Sequence, residues 1–217
     1  MSSAGTVELG ATVDAGQGEV LAAPAGIDRG TVQAVDDAGN LGRALAFDLA
    51  EGTLGGAQLL LGTRLAVGDA VDPARRRLSW TTRDRSLAAL IGDDRPTVAG
   101  ASLLIVNPHT GEAATLDMPA AGWTALTYGF RYSDRTHARG PVTRALVKFG
   151  RIAKVVASRS GITFTLDEAQ QGSLGAVLTS GGRRYCTLFG GSVKVDRPGR
   201  FVATKAPAPP TCPAAGP

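Results

Sequence analysis

At 217 residues, 43% of them apolar but only 5% aromatic, the chain can bury one large aliphatic core or two small ones. No apolar run approaches the roughly 18 residues of a membrane helix, so no membrane span is expected. The net charge of +4 hides a gradient: residues 1–62 hold two Arg against eight acids (net −6), residues 63–130 seven bases against seven acids (net 0), and residues 131–217 fourteen bases against four acids (net +10).

The 29 Gly and 12 Pro are spread along the chain rather than blocked, which predicts many short strands joined by tight turns. Strands are expected at 6–13, 18–22, 31–35, 44–49 and 57–61, with a short helix opening at Leu45 as the alternative for the fourth. Turn chemistry separates them, as in Asp14-Ala15-Gly16 and Asp36-Asp37-Ala38-Gly39-Asn40. Residues 1–62 thus form an acidic β segment, either a separate domain or a part that completes the next one.

Beyond it, strands at 64–67 and 77–83 flank a loop, and Leu78, Trp80 and Thr82 share one face, which puts Trp80 in the core. One helical turn is expected at 86–91, closed by Gly92-Asp93-Asp94-Arg95-Pro96. Strands follow at 101–106 and 112–118, then a segment 122–132 containing Trp123, Tyr128 and Tyr132. From about Thr143 the pattern starts again, with a hairpin at 145–149 and 152–157 and strands at 163–166, 174–179, 184–189, 192–195 and 200–204. Gly172-Ser173-Leu174 and Val177 echo Ala101-Ser102-Leu103 and Val106, and Cys186-Thr187-Leu188-Phe189 echoes Ala114-Thr115-Leu116. The expected fold is an all-β antiparallel sandwich built from an internal duplication, with copy one at about 63–134, copy two at about 143–205, and an additional N-terminal β segment.

Constellations that would carry catalysis are missing. There is no Gly-x-Ser-x-Gly elbow, phosphate loop, dinucleotide fingerprint or His-Glu-x-x-His. His109 and His137 lie in expected loops without clustered partners. The acid pairs Asp36-Asp37, Asp93-Asp94 and Asp167-Glu168 are adjacent in sequence, so on a strand each offers one carboxylate to a given face, and turn capping explains them better. No enzyme activity, cofactor or metal is expected. Arg183-Arg184-Tyr185 sets bases beside an aromatic, but aromatics are few and no nucleic-acid module is legible, so no nucleic-acid partner is expected.

Cys186 falls in an expected strand and Cys212 in the Pro-rich tail; a disulfide between them would pin a tail that otherwise frays, and two free thiols are the alternative. Met1-Ser2-Ser3-Ala4-Gly5 lacks a basic stretch followed by an apolar one, so the protein is expected to be either cytosolic or trimmed of its leader.

Several stretches carry a resemblance: Pro96-Thr97-Val98-Ala99-Gly100-Ala101-Ser102-Leu103, Gly122-Trp123, Phe130-Arg131-Tyr132-Ser133-Asp134-Arg135-Thr136, Gly140-Pro141, Arg184-Tyr185-Cys186 with Leu188-Phe189-Gly190-Gly191, and Ala206-Pro207-Ala208-Pro209 before Cys212-Pro213. Over residues 64–213 the chain resembles a group of secreted bacterial β-rich proteins of unassigned function. The resemblance implies a secreted or cell-surface location and four cysteines, of which this chain keeps Cys186 and Cys212 and has Val142 and Ala157 at the other two places. Loss of both members of one pair is what a Cys186–Cys212 bond predicts.

The expected function is a non-enzymatic structural, adhesive or self-assembling module, associating head to tail or with an acidic surface polymer. The alternative is a carbohydrate-binding or carbohydrate-active domain using Trp123, Tyr128 and Tyr132; with Arg183 and Arg184 these make up the expected ligand surface.

Overall fold

The computed structural model describes residues 29–32, 45–48, 56–159 and 161–214. The chain divides into two compact units, Met1–Gly52 and Thr53–Pro217. In the first, β1 (Arg29–Val32) and β2 (Leu45–Asp48) pair antiparallel, so the element at Leu45 is a strand. The strands expected at 6–13 and 18–22 lie outside the described residues.

The second unit runs β3 (Ala57–Leu59), β4 (Gly62–Gly68), β5 (Arg77–Thr82), a single helical turn α1 (Pro96–Ala99), β6 (Ala101–Val106), β7 (Ala113–Met118), β8 (Trp123–Leu126), β9 (Gly129–Ser133), β10 (Val142–Lys148), β11 (Ile152–Ser158), β12 (Leu174–Ser180), β13 (Arg183–Phe189), β14 (Ser192–Arg197) and β15 (Arg200–Ala206). These strands make two packed sheets, of order β14-β15-β4-β5-β11-β10-β9-β8 and β3-β13-β12-β6-β7. All pairings are antiparallel except that of β3 with β13. The fold is an all-β sandwich, and residues 57–59, expected to belong to the N-terminal segment, form an edge of its smaller sheet.

Period-two alternation fills the space between the sheets. Leu65 and Val67 on β4, Leu78 and Trp80 on β5, Ala145 and Val147 on β10, and Ala153 and Val155 on β11 are all buried and face Leu103, Ile105, Ala176 and Leu178 across the core. Trp80 is fully buried, and its indole N–H donates to Thr187 Oγ1 at 2.9 Å; that hydroxyl in turn donates to the Ala176 carbonyl at 3.1 Å. The one polar atom of the indole is thereby satisfied inside an apolar layer.

The pairing pattern maps onto itself when β4 to β9 are exchanged for β10 to β15: both sheet orders, β3 aside, then read the same from either end. Trp80 opposite Val155 and Ile105 opposite Ala176 sit at the two centres of this exchange. β4 and β10 share one burial pattern, and each carries a register shift two residues from its start, at Gly62/Arg64 and at Val142/Arg144. The halves interleave, because β15 pairs with β4 and β9 pairs with β10.

Two expected elements differ. Residues 86–91 are not helical; the turn of helix starts instead at Pro96, whose fixed φ suits a first helical position. Residues 163–166 alternate buried and exposed like a strand, but their backbone bonds to side chains rather than to a ladder: Thr165 N donates to Glu112 and Leu166 N to Asp69. Ile162, Phe164 and Leu166 thus join the core from a segment outside either sheet.

Candidate anion-binding face

The residues expected to form a ligand surface do not converge. Trp123 and Tyr132 are cross-strand partners on β8 and β9, both pointing inward, with ring centroids 5.4 Å apart and exposures of 7% and 1%. The indole N–H donates to the Met118 carbonyl, and a Cβ on Gly122 would come within 2.2 Å of the Tyr132 ring, so this corner closes over its aromatics. Tyr128, at the tip of the β8–β9 turn, is 75% exposed and stands alone. Arg183 and Arg184 lie on β13, in the other sheet. The clustering suggested by nearness in sequence is undone by strand alternation, which turns Trp123 and Tyr132 to the same side, away from solvent.

A different surface assembles on the outside of the eight-stranded sheet. Its six central strands, β15-β4-β5-β11-β10-β9, contain eight basic residues and no acid. Arg200, Arg64, Arg77, Lys154, Arg144, Lys148 and Arg131 occupy the positions that alternate with the buried ones, and all but the half-buried Lys148 are exposed. Each is held on a paired strand, so the charges stand on a rigid lattice rather than on loops. Among the described residues none of them enters an ion pair; Arg76 pairs with Asp69 at 2.7 Å in the β4–β5 loop, off this face.

On the β9–β11 side the face is concave. A cleft of about 340 Å³ is bounded by Arg131, Arg135, Arg144 and Lys154 over a floor that includes Leu146 and Val156. Arg135 is presented by a loop that Asp134 organises, its buried carboxylate accepting from Ala138 N (3.1 Å), Arg139 N (2.6 Å) and Thr136 Oγ1 (3.2 Å). Burial pushes that carboxyl up, but the hydrogen bonds from Arg139, Ala138 and Thr136, with the Arg139 charge, hold it below its ordinary value of 3.8. Asp134 is therefore a carboxylate beside the cleft that is already engaged by its own loop.

The outer face of the five-stranded sheet is used differently. Val106, Val177 and Cys186 point outward there, yet they are 0%, 3% and 0% exposed. The tail after β15 covers them, held by the Cys186–Cys212 disulfide. Gly175 makes room for it, since a Cβ there would lie 2.5 Å from the Pro213 side chain and 2.8 Å from that of Val106.

Two further groups of polar side chains come together away from this face. His109 Nε2 lies 3.0 Å from Ser173 Oγ on an exposed turn. Carboxylate oxygens of Glu112, Asp167 and Glu168 come within 4.8 Å of one another, and Glu112 accepts both the amide and the hydroxyl of Thr165 while Glu168 accepts from Gln171. Glu112 and Asp167 anchor the 162–166 segment through Thr165. Compared with known protein families, curated proteins and solved structures, the chain matches none.

Proposed function

We propose that this chain is a non-enzymatic, secreted adhesive module that holds an acidic surface polymer on the basic outer face of its eight-stranded sheet. The observation that carries this reading is the set of seven bases on that face, drawn from six adjacent strands that contain no acid. A protein that needs positive charge for solubility alone can scatter it with acids interspersed; concentrating one sign on one face raises the local concentration of a polyanion. The Cys186–Cys212 disulfide suits an oxidising compartment, and no helix among the described residues is long and apolar enough to cross a membrane.

Support for the resemblance to secreted bacterial β-rich proteins comes from Val142 and Ala157. These two places, where the resemblance implies cysteines, are direct cross-strand partners on β10 and β11 and both face the core. The self-mapping strand order supports descent from a duplicated six-strand unit. The carbohydrate-active alternative loses its aromatic platform, with Trp123 and Tyr132 buried.

Retention on an immobilised acidic polysaccharide tests the proposal. Replacing Arg131, Arg144 and Lys154 together by Ala should weaken binding about tenfold, three exposed charge contacts being worth about 0.2–1 kcal/mol each. The control Arg183→Ala/Arg184→Ala removes charge from the other sheet and should leave retention nearly unchanged. Equal losses in the two variants would mean that net charge alone, not this face, is responsible.

A further inference from the structure

The registers of the eight-stranded sheet place its charges in a pattern finer than a basic patch. Following partners straight across the strands gives Arg131 on β9, Leu146 on β10, Lys154 on β11, Thr81 on β5, Arg64 on β4 and Thr204 on β15. Cations and uncharged side chains alternate strand by strand. Neighbouring strands lie about 4.8 Å apart, so successive cations in this row stand about 9.6 Å apart. Between them come an apolar side chain, Leu146, and a small polar one, Thr81.

We infer that the ligand is a linear polysaccharide bearing one acidic group on every second sugar, lying across the strands along this row. The inference rests on the proposed function and deepens it. Two pyranose rings joined head to tail cover about the distance between one cation and the next. Each acidic sugar then meets Arg131, Lys154 or Arg64, and each neutral sugar rests over Leu146 or Thr81. The cleft between Arg131, Arg144 and Lys154, floored by Leu146, seats the first such pair of rings. Duplex nucleic acid fits less well: its phosphates follow one another every ~3.4 Å along each strand, far denser than the row. Sheet twist also turns each strand by about 20–25° from the last, so successive cations are rotated by about 40–50°. A chain free to turn about its glycosidic bonds follows that rotation, and a stiff duplex does not.

The test uses the full chain with three probes: hyaluronan, which carries one carboxylate per disaccharide; polygalacturonate, which carries one per monosaccharide; and duplex DNA. Binding is measured over a range of salt, since the steepness of the salt dependence counts the charges engaged. Counterions released per contact depend on a polymer's own charge density, so wild type and variant are compared on the same polysaccharide. Leu146→Lys/Thr81→Lys fills the two gaps in the row, and should steepen the slope by about two on polygalacturonate while leaving it unchanged on hyaluronan. A variant that steepens on both alike, or on neither, overturns the spacing while leaving the basic face as the binding surface. Tighter binding of duplex DNA than of either polysaccharide overturns it in favour of nucleic acid. If no probe binds, or if Arg131→Ala/Lys154→Ala changes binding to none, the basic face itself is not the site and the proposed function falls with it.

Discussion

The two outer faces of the sandwich are made by the same alternation of strand residues and put to opposite uses. On the five-stranded sheet the outward apolar residues Val106, Val177 and Cys186 are sealed under a disulfide-pinned tail, while Arg184, Thr115 and Asp117 on the same face stay exposed. On the eight-stranded sheet the outward positions carry Arg64, Arg77, Arg131, Arg144, Lys148, Lys154 and Arg200, with the buried Val202 beside them on β15. Both faces lie over a single shared core, so the difference is not a matter of folding stability in general. The chain itself covers the apolar centre of one face, and the charged face stays open to solvent.

The largest expected effect comes from uncovering the first face. Cys212→Ser frees a tail whose tether closes a separation of 26 residues, and should lower unfolding free energy by about 3.5 kcal/mol in urea titration. It should also expose Val106 and Val177, seen as increased binding of an apolar dye by the folded protein. A Cys212→Ser protein as stable as the wild type would remove the tail's role as a cover. Next, Val142→Cys/Ala157→Cys should close a second disulfide between adjacent strands and raise stability by about 3 kcal/mol. Because both positions point inward, retention on an acidic polymer should stay unchanged; loss of retention would mean that the outer face depends on details of the β10–β11 pair beyond its surface charges.

A smaller effect concerns the Asp134 loop. A carboxyl held below its ordinary 3.8 in the folded chain binds fewer protons folded than unfolded, so its contribution is present above that value and is lost as pH falls through the depressed one. Stability should therefore drop below about pH 4 in the wild type, and Asp134→Asn should flatten that part of the profile. The same variant should loosen Arg135 and lower retention at neutral pH modestly, linking the acid sensitivity of the loop to the cleft. An unchanged pH profile would show that the Asp134 hydrogen bonds do not hold the carboxyl as described.

Most strands were legible because period two is a local property. Leu78, Trp80 and Thr82 could be assigned to one face from five consecutive residues, and the strand at 101–106 is observed at those bounds. The segment 163–166 was not separable from a strand, since Ile162, Phe164 and Leu166 have the right alternation and only the long-range partners Glu112 and Asp69 make it irregular. The basic face was legible only as a gradient along the chain, +10 in the last part. What the sequence hides is adjacency: Arg131, Lys154 and Arg64 come from well-separated segments and meet through strand order. Trp123 and Tyr132 mislead for the converse reason, being close in sequence and joined by a two-residue turn that sends both rings inward.

Backbone amide shifts in a nuclear magnetic resonance titration with an acidic oligosaccharide report directly which face of the sandwich the ligand meets. The perturbed amides should cluster on β9, β10 and β11 around Arg131, Arg144 and Lys154, extend toward Arg64, and spare β6, β12 and β13. Perturbations concentrated on the five-stranded sheet or the tail, or spread evenly over both faces, would contradict the placement of the ligand on the basic face.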